Sequence, residues 1–209
     1  HADHANGIAQ WNKVWMNTID KDLYFDRSSI ALRKEMLKKK YSDIETWDDS
    51  LFQPVFKGEF IHLEEGMTFD LGGVSLLMIH APGHTQGMMV PLVKEDRVAI
   101  FGDACGVFTF LFRQECSSVN VYRQTLLKLK SYENQYDRIL RQHGTCESPK
   151  SLTDENLEVA QEILNGTDEH IPFEYLGYHA FIAKQTDPQT GIRADGKSGN
   201  IVYAQDKIW

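Results

Sequence analysis

Cysteine is scarce. Only Cys105, Cys116 and Cys146 occur in 209 residues, and no two of them form a CxxC pair. An odd, sparse count of this kind argues against a disulfide framework. It points to reduced thiols and a cytoplasmic setting. Long apolar runs are also lacking: no stretch of about 18 apolar residues occurs, so no membrane-spanning helix is expected. No signal peptide is visible. Basic residues are outnumbered, with Lys plus Arg at 22 against Asp plus Glu at 30 and a net charge of -8. Bulk charge of that sign attracts neither nucleic acid nor anionic lipid, so neither is an expected partner. There is no internal repeat or low-complexity segment. There is no initiator Met either: the sequence opens at His1, and the expectation is a processed chain or one that begins inside a longer protein.

What is present is a globular composition, 42% hydrophobic and 25% charged. At 24.0 kDa, the size suits one domain or two small ones with a core that needs no staples. Ile8, Trp11, Val14 and Trp15 recur at helical spacing, and Leu23-Tyr24-Phe25 reads as a short strand. Residues 28–41 read as a helix and 43–56 as an irregular connection. The middle is strand-rich: 59–63, 67–71, 74–81, 88–93 and 97–103, broken by Glu-Gly and Gly-Gly turns. Their nearly continuous apolar character suggests burial on both faces. Helices are expected over 119–132 and 154–164, the second capped by Thr153 or Asp154, with a strand over 138–142 between them. The tail offers strands at 178–184 and 200–204. Alternating sheet and helix make α/β the expected class.

Four short motifs carry the chemistry: His1-Ala2-Asp3-His4, Gly83-His84-Thr85, Gly102-Asp103 and His143-Gly144. Each places a His or an Asp at a strand end or in the loop that follows, where a rigid scaffold presents functional side chains. Imidazole and carboxylate suit zinc and similar divalent ions. A density of two His and one Asp in four positions is hard to explain by core packing, because buried His and Asp need partners.

These motifs resemble those of the metallo-β-lactamase-fold hydrolases. HADH is similar to the second half of H-x-H-x-D-H, APGHTQG to the PGHTxG motif, FGDA to the Gly-Asp that bridges two metals, and RQHG to the last metal-binding histidine. The order along the chain is the family's order, and the likeness runs from His1 to about Cys146. The resemblance implies an αβ/βα sandwich of the α/β (α+β) class. Residues 1–209 would form a single domain, N-terminally incomplete, with 171–209 as a C-terminal extension packing on it. It also implies two divalent metal ions, zinc in the first instance with iron or manganese as alternatives. His1 and His84 would serve the first metal, Asp3, His4 and His143 the second, and Asp103 would bridge them. The family's further His, two residues before His1, lies outside this sequence, so the first site is expected to be one ligand short.

Two adjacent divalent ions generate hydroxide near neutral pH and polarise a carbonyl or phosphoryl group, so no nucleophilic Ser or Cys is required. The resemblance thus implies a hydrolase of a small ester-like substrate, thioester or lactone, acting through a metal-bound hydroxide that Asp3 helps to orient. A phosphodiesterase and a vestigial, non-catalytic metal-binding module are the competing readings. The acidic balance argues against a nuclease, and a mono-iron sulfur dioxygenase stays open. Oligomeric state is not legible.

Other residues invite functional readings. His80 is expected to pack on one strand face, His62 and His170 to lie at the surface, His179 to pack in its strand, and Asp137 to be a strand-entry charge. Residues 191–198 match G-x-x-x-x-G-K-[ST] letter for letter. A P-loop needs a strand before it and a helix after it, and here a polar loop precedes and a strand pattern follows. A Gly-rich hairpin loop fits better, with Arg193 or Lys197 able to meet an anion. Asn165-Gly166-Thr167 is read as a helix stop rather than a glycosylation site. Phe108, Phe110, Leu111 and Phe112 suit either a substrate pocket or the core. Cys105 and Cys146 are expected to be inert.

Overall fold

The computed structural model describes residues 1–144, 146–187, 189 and 192–209. They fall into two units, His1–Leu63 and Glu64–Trp209.

The first unit contains α1 (Ala2–Ala5), β1 (Val14–Met16), α2 (Lys21–Ser28), α3 (Ile30–Leu37) and β2 (Phe60–His62). β1 and β2 pair in parallel, with Val14 opposite Phe60. Val14, Tyr24 and Phe56 are buried together, with Met16 and Phe60 packed on them. The Tyr24 hydroxyl accepts the Phe56 N–H at 2.9 Å. Two sequence expectations are corrected here. The helix read through Ile8–Trp15 is a turn followed by β1, and the strand read at 23–25 lies inside α2. In α2 the buried residues are Tyr24 and Ser28, one helical turn apart, whereas Phe25 is exposed; the run was apolar without being alternating. The helix expected over 28–41 breaks at Ser29, whose hydroxyl caps α3 by accepting the Leu32 N–H at 3.3 Å. Buried Arg33 donates to the carbonyls of Ser28 (2.7 Å) and Gln53 (2.6 Å), pinning the irregular connection that follows.

The second unit holds two sheets and two helices. The first sheet has the order β3 (Thr68–Asp70), β4 (Ser75–His80), β5 (Met89–Val93), β6 (Val98–Ile100), β8 (Arg138–Leu140), β9 (Glu147–Ser148). β3 to β6 run as an antiparallel meander, and β8 joins β6 in parallel after a crossover through α4 (Val119–Ser131). The second sheet has the order β10 (Ile171–Tyr175), β11 (Tyr178–Ile182), β12 (Ile201–Tyr203), β7 (Thr109–Leu111). The core gathers Ile79, Val90, Leu92 and Ala99 from the first sheet and Leu126 and Leu129 from α4. Val159 and Ile163 from α5 (Leu152–Asn165) and Ile201 and Tyr203 from β12 complete it. Burial on β5 alternates residue by residue, so that strand buries one face fully rather than both, whereas β4 and β6 each bury two adjacent residues. Residues 171–209 supply three of the four strands of the second sheet.

α5 begins earlier than Asp154, with Ser151 at the N-cap position. Thr153 is buried and faces the core instead of capping. The helix ends at Asn165 as the sequence suggested, and Gly166 follows with φ +67°. A Cβ at Gly166 would meet no atom within 4 Å, so replacing it tests the backbone alone. Gly166→Ala is expected to lower stability by about 1 kcal/mol, the cost of a left-handed non-glycine residue. A denaturant melt with an unchanged slope measures it.

Candidate metal centre

His84 sits in the loop between β4 and β5, and α4 fixes that loop from below. The Tyr122 ring lies so close to Gly83 that a Cβ there would stand 2.7 Å from the ring. This is the physical reason for glycine before the histidine. The Thr125 hydroxyl donates to the Pro82 carbonyl at 2.5 Å, and Lys128 Nζ donates to the His80 carbonyl at 2.9 Å. His84 itself is 7% exposed. Its Nδ1 lies 3.0 Å from the Phe110 carbonyl on β7. A carbonyl only accepts, so Nδ1 carries the proton and Nε2 presents its lone pair. That is the tautomer and orientation a metal-ligating histidine takes. Burial lowers the His84 pKa, opposed in part by the Phe110 hydrogen bond and the Asp103 charge, so the neutral, ligating form is favoured.

This has a measurable consequence without any metal. A histidine whose folded pKa lies below its ordinary 6.5 stabilises the fold fully above that value, and the contribution fades as pH falls below it, because the unfolded chain takes up the proton first. The thermal midpoint of the metal-free protein is expected to drop on acidification from pH 6.5 more steeply than that of His84→Gln.

Asp103 follows β6. The turn into it requires Gly102, at φ +55°, where a Cβ would also meet Gln142 Oε1 at 2.8 Å. One oxygen of Asp103, Oδ2, lies 3.7 Å from His84 Nε2 and 3.6 Å from His143 Nε2. These separations are too long for hydrogen bonds. They are close to the spacing of about 3.4 Å between two ligand atoms bound at about 2.1 Å to one tetrahedral ion. The three donors are one carboxylate and two imidazoles, a set suited to zinc, iron or manganese. Asp103 is largely shielded and His143 is 59% exposed, which leaves one side of the cluster open to solvent. Buried Arg141 lies behind the cluster, its Nε donating to Ser148 Oγ at 2.6 Å. A Cβ on Gly106 would sit 3.6 Å from its guanidinium.

In the first unit, His1 occupies the N-cap position of α1, and its carbonyl accepts the Ala5 N–H at 3.1 Å. Asp3 and His4 lie on that helix with Asp3 Oδ2 and His4 Nε2 3.6 Å apart, both accessible. This is the same non-hydrogen-bonded spacing of carboxylate and imidazole. The structure thus brings His84, Asp103 and His143 together in one unit and Asp3 and His4 together in the other. No sequence signal marked the groups that aim His84, namely the Phe110 carbonyl and the Tyr122, Thr125 and Lys128 side chains. Only Gly83 hinted at a close approach.

The remaining candidates separate cleanly. In the 191–198 loop, the N–H groups of Ser198 and Gly199 both donate to Glu155 Oε2, at 2.7 and 2.8 Å. Arg193 is tied to the Gly199 carbonyl at 2.7 Å and to Asp195, and Lys197 pairs with Glu158. A carboxylate of α5 therefore occupies the amides that a phosphate would need; Gly191, where the match starts, lies outside the described residues. His80 binds the Gln86 carbonyl at 2.8 Å, and Asp137 pairs with Arg97 at 2.6 Å. His62 is exposed and hydrogen-bonded to Thr18. His170 is exposed yet stacked on Phe181, with Nδ1 2.8 Å from the Tyr203 hydroxyl. His179 does not pack as expected: it is exposed and paired with Glu174 at 3.2 Å. Burial pushes the Cys105 thiol up to about 12 and Cys116 up to about 11, so neither is a reactive thiolate. Among the described residues, no helix is long and apolar enough to cross a membrane.

Residues 1–136 match the family model of the metallo-beta-lactamase superfamily. The chain belongs to that superfamily, and its fold is the αβ/βα sandwich on which the superfamily's hydrolases are built. Two solved structures illustrate the likeness. A metallo-beta-lactamase family protein of Thermus thermophilus is 15% identical with a TM-score of 0.50, over 74% of this chain and 54% of that one. A beta-lactamase domain protein of Burkholderia ambifaria is 16% identical with a TM-score of 0.51, over 83% of this chain and 56% of that one. The chain thus spans about half the length of either. No curated protein matches it.

Proposed function

We propose that the protein is a metal-dependent hydrolase of a small ester-like substrate, a thioester or a lactone. Its ligands are His1, Asp3, His4, His84, Asp103 and His143, and the metal is zinc in the first instance. The observation that carries the reading is the single Asp103 oxygen held 3.7 and 3.6 Å from two imidazole nitrogens, with the His84 ring locked in the ligating tautomer by the Phe110 carbonyl. A divalent pair, if held by these residues, would acidify water and polarise the scissile carbonyl. The chain's own contribution is arrangement. Tyr122 and Thr125 hold the His84 loop, Gly102 turns Asp103 toward both histidines, and Asp3 would accept a hydrogen bond from the attacking water and orient it. The open side at His143 admits the substrate.

The test is turnover of a panel of acetyl thioesters and γ- and δ-lactones, before and after chelation and reloading with zinc, iron or manganese. Hydrolysis should vanish on chelation and return with one of the three. Hydrolysis indifferent to chelation overturns the reading.

A further inference from the structure

The second sheet has a face that the core does not use. Its edge strands carry large aromatics on that face: Phe110 and Phe112 on β7 and its end, Phe173 and Tyr175 on β10. The central strands carry smaller residues, Ala180 on β11, Val202 on β12 and Ala204 just after it, all buried. The rings from the two edges therefore close over the middle of the sheet. Phe110 lies 5.9 Å from Tyr175, and Phe112 lies 6.3 Å from Tyr175 and 5.5 Å from Tyr178. Phe173 and Tyr175 are nearly parallel, 6.1 Å apart. The Arg113 guanidinium, paired with Glu115, stacks 5.9 Å from both Phe112 and Tyr178 and steadies that end.

This aromatic layer is not sealed. Tyr175 is 39% exposed, and Phe110, Phe112, Phe173 and Tyr178 are half-buried or nearly buried. The hairpin that delivers Tyr175 and Tyr178 turns through Leu176 at φ +49° and Gly177 at φ +82°. An exposed leucine in the left-handed region is costly, and such strain persists where the position of neighbouring side chains matters. One residue links the layer to the candidate metal centre through its backbone. The residue whose carbonyl aims His84 is Phe110, whose ring belongs to the layer.

We propose that this aromatic layer, completed by the β10–β11 hairpin, is the surface that recognises the apolar acyl or aryl body of the substrate, and that Tyr175 is its principal accessible contact. The proposal rests on the hydrolase reading for the identity of its occupant. An aromatic surface beside a hydrolytic centre selects esters with a flat or bulky apolar group over acetyl esters, because stacking and burial add binding that a methyl group cannot supply.

Two measurements on the full chain test it. The first is titration of the metal-free protein with the flat aryl probe 8-anilinonaphthalene-1-sulfonate. Tyr175→Ser should weaken the probe about tenfold, Tyr175→Phe should leave it unchanged, and both should keep the wild-type thermal midpoint. The second compares phenylacetyl and acetyl thioesters of one thiol: Tyr175→Ser should raise KM about tenfold for the first alone, with kcat unchanged. Unaltered probe affinity, or equal loss on both thioesters, overturns the surface. Weakened probe binding in a protein that hydrolyses neither thioester keeps the surface and overturns the hydrolase reading instead.

Discussion

Asp103→Ala is expected to lower ester hydrolysis by about 10³-fold or more and to release bound metal. Its Oδ2 lies within 3.7 Å of both His84 Nε2 and His143 Nε2. Removing it withdraws the anionic donor of that set and leaves two imidazoles. The loss of several kcal/mol of charge stabilisation corresponds to a rate effect of this size. The fold should survive, because Asp103 lies in a loop and its turn is set by Gly102. Metal content measured beside the rate separates loss of the centre from unfolding.

The second large effect is on stability. Tyr122→Ala should destabilise the protein by about 3–5 kcal/mol, the range for truncating a fully buried aromatic. Tyr122 is fully buried on α4, its ring against Gly83 and its hydroxyl 3.1 Å from Thr109 Oγ1. The void would open directly beneath the His84 loop, so metal affinity should fall with stability. Tyr122→Phe keeps the ring and should cost only about 1 kcal/mol, the worth of one hydrogen bond. Denaturant melts of the two variants give the comparison.

Much of the second unit was legible because its strands announce themselves locally. β4 and β5 are apolar runs bounded by glycine turns, and Gly166 ends α5 where the pattern stops. The candidate ligands His84, His143 and Asp103 were legible as residue types at strand ends, whereas His1, Asp3 and His4 lie at and on the short helix α1. What aims His84 was not legible, because the Phe110 carbonyl reaches it from 26 residues away, and no local pattern encodes such a contact. β10 was missed since Pro172 interrupts it; the structure places it at a sheet edge, where a missing N–H costs little. The Phe-rich stretch containing β7 left core and pocket equally open, and its alternation divides it between two apolar clusters. Leu111 joins the main core while Phe110 and Phe112 face the aromatic layer. The first unit was read least well. β1 and β2 are three residues each, too short to show a period, and their pairing joins segments distant in sequence. α2 buries Tyr24 and Ser28 through tertiary packing that overrides a strand-like run of apolar letters.

The most direct test of the metal centre is a calorimetric titration of zinc into the chelator-treated wild-type chain and into Asp103→Ala. The account predicts binding by the wild type, and binding lost or weakened at least about a hundredfold in Asp103→Ala. Equal affinity in the two proteins, or no binding by the wild type, would contradict it.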